Sequence, residues 1–442
     1  MELSQSMTGL LAIAALDAGA ISPRARRLAE LSLLDWMVVG RAGAAEPVGA
    51  LLRGHVEAEG GNPVASVIGG SKRLPPRAAA LANGTISHAL DYDDTHFAHI
   101  GHLSVGIYPA ALAAAESAGA SAAALRDAFL LGAEGACRIG MVLGRVHYQR
   151  GFHQTATAGA FGAAIAAGRL LGLTAEQMRN ALSLVATRAS GLKSQFGTMG
   201  KPFNAGIAAA NGVEAAELAR RGFVSCDDGV GGPQGFVETH SDAPDLAGPW
   251  ADLPPARFVF EANQYKLHAC CHGTHAMIEA LAEVRRRRPI DPADVTGVTV
   301  ATHPRWLRVC DLKAPRTGLE AKFSYVLLAA MVLAGIDTAA DRSYTDALCR
   351  DPALLALASR VAVVADESLA DTAARIEIAL ADGARLAASH DLAAAIPETV
   401  LEGGLRGKAR GLLGEAAAER LWSAIAGIER LSAREVGALL AG

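Results

Sequence analysis

The chain has 442 residues, 51% of them apolar and 19% charged, with a formal net charge of −4. Its length allows two or three domains, and the apolar share excludes a disordered chain. The lack of a basic excess argues against a nucleic-acid binder.

In chain order, the first segment, MELSQSMTGLLAIAALDAG, lacks a basic leader and its short apolar run is interrupted by Asp17. It reads as an amphipathic first helix rather than a signal peptide. Ser22-Pro23 supplies an N-cap and a first-turn proline for a helix running to Gly40. Further helices are predicted from Pro76 to about His88, Ser121 to about Val142 and Ala158 to Leu171. Thr174 and Gln177 form a capping box for the next one. Asn204 to Arg221 is helical and stops at Gly222, a C′ glycine. Aromatics make up only 5% of the chain, and 158–168 and 206–216 are almost all small residues. Such faces let helix axes approach closely in a bundle.

Composition changes at Cys226 to Pro255, where DDGVGGPQG and DAPDLAGPWADLPP are loop chemistry leaving a first domain. Strands are expected at Val295–Thr302 and Arg360–Val364. Arg375–Leu380 and Arg385–Ala388 flank an Asp382-Gly383 hairpin turn. Helices at about His272–Arg286 and Phe323–Ala334 complete an α+β domain, and the pattern from Leu405 to Leu440 is helical again. The expected fold is therefore mainly α with an α+β part. Its boundaries are a helical domain at 1–255, an α+β domain at 256–394 and C-terminal helices at 395–442 that return to the helical domain. The longest apolar run, Tyr325 to Ile336, is too short to span a bilayer. Six cysteines lack any CxxC pairing, so no zinc ribbon or secreted disulfide framework is visible. A reducing, cytoplasmic setting is expected. Arg285 to Arg288 reads as a solvated helix end.

The standard catalytic motifs are absent. There is no GxSxG elbow, and Gly200-Lys201 lacks the upstream glycine of a Walker loop. Gly229 to Gly232 follows no strand, and Asp91, Asp93 and Asp94 lack the glycine and closing glutamate of a calcium loop. What stands out is the stretch from His88 to Ser104, with three aspartates and four histidines in 17 residues. His96, His99 and His102 recur every third residue and invite a metal reading. That spacing suits a helix poorly and Gly101 signals a loop, so no metal is assigned. Capping chemistry accounts for Asp93 or Asp94 but not for the whole set. A second polar set includes His147, Tyr148, His153 and Thr155, and a third is Gly197 to Asn204 with Lys201. A fourth runs from Tyr265 through Lys266, His268, Cys270, Cys271 and His272 to His275, and a fifth is Lys322 to Ser324. A single lysine of this kind is ordinarily a surface residue. Together the sets supply cations and imidazoles beside an Asp-rich loop, as a small polyanionic substrate requires.

These residues also carry a resemblance. Asn83-Gly-x-x-x-His88-x-x-Asp91-Tyr-Asp-Asp-Thr95, Gly101-His102-x-Ser104 and Gly151-Phe-His153-x-Thr155-x-Thr157 look like the MmgE/PrpD family. So do Gly197-Thr-Met-x-Lys201-Pro, Lys266-x-x-x-x-Cys271-x-x-Thr274-His275 and Ala321-Lys322-Phe-Ser324. The motifs cover roughly residues 10 to 330, in family order. The family includes 2-methylcitrate dehydratase, cis-aconitate decarboxylase and iminodisuccinate epimerase. The resemblance implies an all-helical domain assembled from both chain ends and a smaller α+β lid. It also implies a homodimer and cofactor-free chemistry in a cleft between the domains. The matching active-site positions are Asp91, Thr95, His102, His153, Lys201 and Lys266, with Cys271 close by. Leu103 replaces the proline that commonly follows the loop histidine. Cys271 stands where decarboxylase members carry a histidine, which lowers that reading.

The family's reactions share proton transfer at a carbon beside a carboxylate, for which preorganised cations and tuned acid–base groups are needed. The catalytic candidates are Asp91, His102, His153 and Tyr148. The substrate-binding candidates are Thr95, Ser104, Lys201, Lys266, Cys271, His275 and Lys322. The expected partner is a small di- or tricarboxylate, with no cofactor, nucleic acid or membrane. The leading reaction is dehydration of a 2-methylcitrate-like hydroxy acid. The alternatives are epimerisation of an iminodisuccinate-like dicarboxylate, cis-aconitate-type decarboxylation, and polycarboxylate binding without turnover.

Overall fold

The computed structural model describes residues 6–16, 21–394 and 396–441, so Asp17 and the first five residues lie outside the described residues. The chain divides into two compact units, Met1–Tyr265 with Leu413–Gly442, and Lys266–Leu412. Helices dominate, with one small mixed sheet in the second unit. No described helix is long and apolar enough to cross a membrane.

The first unit contains α1 (Met7–Leu16), α2 (Pro23–Gly43), α3 (Pro47–Glu59), α4 (Pro76–Ser87) and α5 (Ser104–Ala118). It continues with α6 (Ala122–Arg150), α7 (Gln154–Leu170), α8 (Ala175–Ala186), α9 (Gly200–Arg220) and the short α10 (Phe236–His240). The helices Glu415–Ala426 and Ala433–Ala438 belong to the same unit and pack on α2 and α5. Helix α1 carries no charged residue and buries Thr8, Leu11, Ala12 and Ala15, so it is apolar rather than amphipathic. Ser22 caps α2 as its spacing predicts, accepting from the Ala25 amide at 2.9 Å, and the Thr174–Gln177 capping box closes on α8. Helix α5 is hidden in the sequence by Pro109, which removes one backbone bond. Thirteen of its residues are nevertheless buried, and burial of that extent outweighs one lost bond. Helix α6 runs past the expected Val142 and kinks at Gly144 (φ 65°, ψ −169°), which re-aims its last turn and with it His147 and Tyr148.

Helices α7 and α9 form the middle of the bundle, and small residues let them sit there. A Cβ on Gly162 would stand 2.6 Å from the Gly132 carbonyl of α6, so the α6–α7 approach requires glycine at that crossing.

Residues 249–265 stay with the first unit, beyond the boundary expected near 255, because α6 binds them. Glu134 accepts the amides of Val259 (3.1 Å) and Phe260 (2.9 Å). Arg138, paired with Glu134 at 2.7 Å, donates to the carbonyls of Pro249, Asp252 and Arg257. Both side chains are buried. Removing one member strands the other's charge, so Glu134→Ala is expected to cost about 3–5 kcal/mol, read as a lowered urea midpoint.

The second unit holds α11 (His275–Arg287), β1 (Val295–Thr302), α12 (Pro304–Cys310), α13 (Gly318–Ala321), α14 (Tyr325–Leu333), α15 (Pro352–Ala358), β2 (Val361–Ala365), β3 (Ala373–Leu380) and β4 (Arg385–Asp391). The sheet order is β2-β1-β3-β4, with β1 parallel to β2 and antiparallel to β3. The expected Asp-Gly hairpin joins β3 to β4, with Gly383 at φ 83°. Helix α11 covers β3 and β4 with its apolar face, and its terminal arginines are exposed. The unit extends to Leu412 rather than 394. One reason is that Gly404, on the helix Glu398–Leu413, sits against the Leu267 side chain.

Candidate active site

The loop between α4 and α5 carries the polar cluster, and its backbone is held under strain. Asp91 (φ 51°) and Ile100 (φ 57°) both occupy the left-handed region, which a β-branched residue adopts only when its surroundings impose it. A tight turn, in which the His96 amide donates to the Gly101 carbonyl at 2.8 Å, places His102. The His102 amide then donates to Thr155 Oγ1 at 3.0 Å. A Cβ on Gly101 would lie 2.8 Å from the Thr155 nitrogen, so glycine is what admits the loop to the start of α7. Leu103, which takes the place of the proline common in the family, is fully buried at the N-terminus of α5.

The three aspartates of the loop have three separate jobs. Asp94 is structural. It accepts the Ser104 amide (3.0 Å) and hydroxyl (2.6 Å) and the Asn263 side chain (2.7 Å). Ser104, expected to bind substrate, is fully buried and its hydroxyl is spent on this bond. Asp93 is fully buried between two imidazoles. It accepts from His88 Nδ1 at 2.8 Å and lies 2.7 Å from His102 Nδ1. Burial alone raises its pKa, but His102 and His88 outweigh that and hold it well below the usual carboxylate range. Asp91 is the accessible member, with its side chain 41% exposed. It pairs with Lys201 Nζ at 2.6 Å and stands 3.4 Å from His102 Nε2.

Lys201 reaches this point because α9 starts at Gly200, one turn earlier than its sequence pattern indicates, which puts Lys201 in the first turn. The same helix supplies Asn204, whose amide nitrogen donates to His153 Nδ1 (3.1 Å) and to the Leu192 carbonyl (3.3 Å). An amide nitrogen only donates, so His153 Nδ1 accepts and the neutral ring carries its proton on Nε2. Burial, reinforced by the charge of Lys201, pushes the His153 pKa well below its ordinary value. The His88 ring lies 4.6 Å from that of His102 and 6.1 Å from that of His153. Phe196 stands edge-on to His153 at 5.0 Å, under the Lys201 ammonium at 5.6 Å.

Asp93 Oδ2, 2.7 Å from His102 Nδ1, sets a negative charge on that side of the His102 ring, while His153 accepts at Nδ1 and presents an N–H at Nε2. The arrangement can offer one imidazole as a base and another as a donor, beside an ammonium. The structure thus brings together Asp91, His102, His153 and Lys201. Thr95 sits on the same loop and exchanges backbone bonds with Gln264 at 2.7 Å. Tyr148 lies on the last turn of α6, with the Lys193 ammonium 3.8 Å above its ring. Sequence reasoning missed His88, Asp93 and Asn204 as members of the site. His88 and Asp93 were visible in the motif, but nothing in their spacing shows which of three aspartates faces the imidazoles.

The histidine triplet at 96, 99 and 102 does not converge. His96 Nε2 donates to the Val259 carbonyl (2.9 Å) and His99 Nδ1 to that of Ala136 (3.1 Å). A different quartet, His88, Asp91, Asp93 and His102, has donor atoms within 4.8 Å of one another. Within this quartet Asp91 is paired with the Lys201 ammonium, and Asp93 stands between the two imidazoles.

Burial makes several of these histidines acid-sensitive. It lowers His96 to about 4, His99 to about 3 and His147 to about 4. The unfolded chain binds these protons near pH 6.5 and the native chain does not. Their stabilising effect is therefore complete above that pH and is lost as pH falls towards the folded values. Each fully buried ring contributes a slope of about 1.4 kcal/mol per pH unit in that window. The urea midpoint is expected to drop steeply between pH 6.5 and 4. A flat midpoint there would show that the rings are charged in the native state.

The remaining candidates lie in the second unit. Lys266 and His275 are buried, and His275 Nε2 donates to the Cys270 carbonyl at 3.3 Å. Cys271 is half-buried. Lys322 pairs with Asp341 at 2.6 Å, and its ammonium lies 5.4 Å from the Tyr344 ring.

Residues 12–248 match the family model of the MmgE/PrpD N-terminal domain, and residues 268–418 that of the MmgE/PrpD C-terminal domain. Among curated proteins, a cis-aconitate decarboxylase-like protein of Aspergillus oryzae is 31% identical over 272 residues, which is 58% of this chain and 56% of that protein. Cis-aconitate decarboxylase of Aspergillus terreus is 32% identical over 237 residues, 50% of this chain and 48% of that one. The Homo sapiens enzyme of the same name is 31% identical over 225 residues, 48% and 45% respectively. The chain spans about half the length of the curated relatives it matches.

Proposed function

Since the chain belongs to the MmgE/PrpD family, we propose that it is a cofactor-free lyase acting on a small polycarboxylate, and that its reaction is dehydration of a 2-methylcitrate-like hydroxy acid. The observation that carries this reading is the pair of imidazoles in one cluster, His102 with its Nδ1 2.7 Å from Asp93 and His153 accepting at Nδ1 from Asn204, so that its Nε2 carries a proton. Elimination of water needs both. His102 takes the proton from the carbon beside the carboxylate, and Asp93 stabilises the imidazolium that results. His153 donates to the departing hydroxyl, and Lys201 exchanges Asp91 for a substrate carboxylate. On the motif resemblance, Thr95, Lys266, Cys271, His275 and Lys322 are proposed as further substrate-binding residues, and the assembly as a homodimer.

A second reading, decarboxylation of cis-aconitate, is favoured by the names of the curated relatives. It needs an acid at the carbon that loses the carboxylate but no base, and Cys271 replaces the histidine expected there. Incubation with 2-methylcitrate, cis-aconitate and iminodisuccinate in heavy water, followed by NMR, separates the possibilities. Loss of water from 2-methylcitrate with deuterium exchange is the expected result. Carbon dioxide from cis-aconitate would establish the second reading. Epimerised iminodisuccinate, or no turnover of any of the three, would overturn both.

A further inference from the structure

The second unit holds a group of thiols, of which the proposed function draws on Cys271 alone, and only for binding. Cys270 and Cys271 follow Lys266 in one loop, and Cys310 ends α12. All three are free thiols. Backbone bonds bring residues 271 and 310 to the same short segment. The Cys271 amide donates to the Lys322 carbonyl at 3.0 Å, Asp311 pairs with Ser324, and the Leu312 amide donates to the Phe323 carbonyl at 3.3 Å. Cys271 and Cys310 therefore both lie beside residues 322–324, and their thiols are near enough to act on each other. Cys310 is fully buried whereas Cys271 is half-buried, so solvent reaches one sulfur of the pair. The neighbouring Cys271 thiol and burial push the Cys310 pKa well above the ordinary thiol range, and the Lys266 ammonium offsets only part of that, which suits Cys310 to the resolving and not the attacking position. Cys270 is turned elsewhere. It is buried with its sulfur 3.2 Å from Thr274 Oγ1, and burial pushes its pKa up to about 12. Adjacent residues are also poorly placed for bridging, since consecutive Cα atoms are about 3.8 Å apart and disulfides prefer roughly 4.4–6.8 Å.

We propose that Cys271 and Cys310 form a peroxide-sensitive dithiol, a modification site in which Cys271 is the attacking sulfur and Cys310 the resolving one. The Cys271 thiolate attacks hydrogen peroxide, forming an S–O bond as the O–O bond breaks and hydroxide leaves. The Cys310 sulfur then attacks the sulfenic sulfur, giving up its proton as the S–S bond forms and a second hydroxide departs, protonated to water. Two thiols are oxidised by two electrons in total, and one peroxide is reduced to two waters. The proposal is independent of which carboxylate the protein acts on.

The test uses the full chain treated with graded hydrogen peroxide, alkylated, digested and mapped by mass spectrometry without reductant. The expected product is an intramolecular cross-link between the Cys271 and Cys310 peptides, two hydrogens lighter than the reduced pair and reversed by dithiothreitol. In Cys310→Ser, the cross-link is lost and dimedone labels a sulfenic acid at Cys271. If that variant fails to fold, Cys310→Ala takes its place, and the wild-type cross-link map decides alone if both fail. Exposed Cys226 is the internal reference for an ordinary thiol. The proposal is overturned if Cys271 is still alkylated at a dose that oxidises Cys226. It is equally overturned if the cross-link joins Cys270 or a second chain, or if dimedone leaves Cys271 unlabelled in a folded Cys310 variant.

Discussion

Asp93→Asn is expected to lower kcat by about 10³–10⁴-fold with little change in KM, the scale seen when the carboxylate behind a catalytic imidazole becomes an amide. The substitution keeps the shape of the side chain but turns one acceptor oxygen into a donor. Asp93 now accepts from His88 Nδ1 and faces His102 Nδ1. An amide nitrogen placed against either ring makes that Nδ1 an acceptor and moves the proton to Nε2. At His102 this converts the base into a donor and leaves the site with two donors and no base. Asp93 lies outside solvent contact, so its effect passes through the imidazoles and not through substrate. Folding is checked by circular dichroism. Recovery of activity at raised pH is not expected, because the lone pair is on the wrong nitrogen. A loss below tenfold would reduce Asp93 to a packing group. The control is Asp94→Asn, in which the altered carboxylate is bonded to Ser104 and Asn263, and which should reduce stability more than turnover.

Lys201→Met is expected to reduce kcat/KM by about 30- to 5,000-fold, the range for removing one partner of a desolvated charge pair, about 2–5 kcal/mol. Without substrate, Lys201 pairs with Asp91 at 2.6 Å, and a substrate carboxylate would take that oxygen's position. The variant keeps an unbranched side chain of similar length and removes the charge and its hydrogen bonds. Lys201→Arg should restore little, because a planar fork does not reproduce a point charge in the first turn of a helix. Binding of citrate measured by calorimetry should weaken in parallel, and unchanged binding would remove Lys201 from the substrate's contacts. The neighbouring imidazole gives a second readout. Lys201 is one of the charges lowering the His153 pKa, so its removal should shift the pH profile as well as the rate.

Much of the architecture was legible because local rules and the final packing agree. Ser22-Pro23, Thr174 with Gln177 and Asp382-Gly383 each specify a backbone conformation without help from distant residues. The small-residue runs likewise announced α7 and α9, since only small side chains fit where axes approach. Helix α5 was not legible, because Pro109 signals a break and the compensating burial comes from elements far away in sequence. The domain limit near residue 255 was misplaced for the same reason. Loop composition there says nothing of the Glu134 and Arg138 bonds that hold the strand of chain up to Tyr265.

At the site, the sequence by itself determined the inventory: an Asp-rich loop, two imidazoles and a lysine ahead of a small-residue helix, in an order that resembles one family. Only the tertiary structure decided which residue does what. Asp91, Asp93 and Asp94 occupy four positions of one loop, yet one meets an ammonium, one meets two imidazoles and one caps a helix. Ser104 and the histidines at 96 and 99 were drawn into backbone and capping bonds. The physical reason is that a carboxylate's role depends on the charge and hydrogen-bond donors that folding places around it. Those partners are Lys201 at the start of α9, His88 just after α4, Ser104 at the start of α5, and His102 and Asn263 from loops, and no spacing rule assigns them to one aspartate or another.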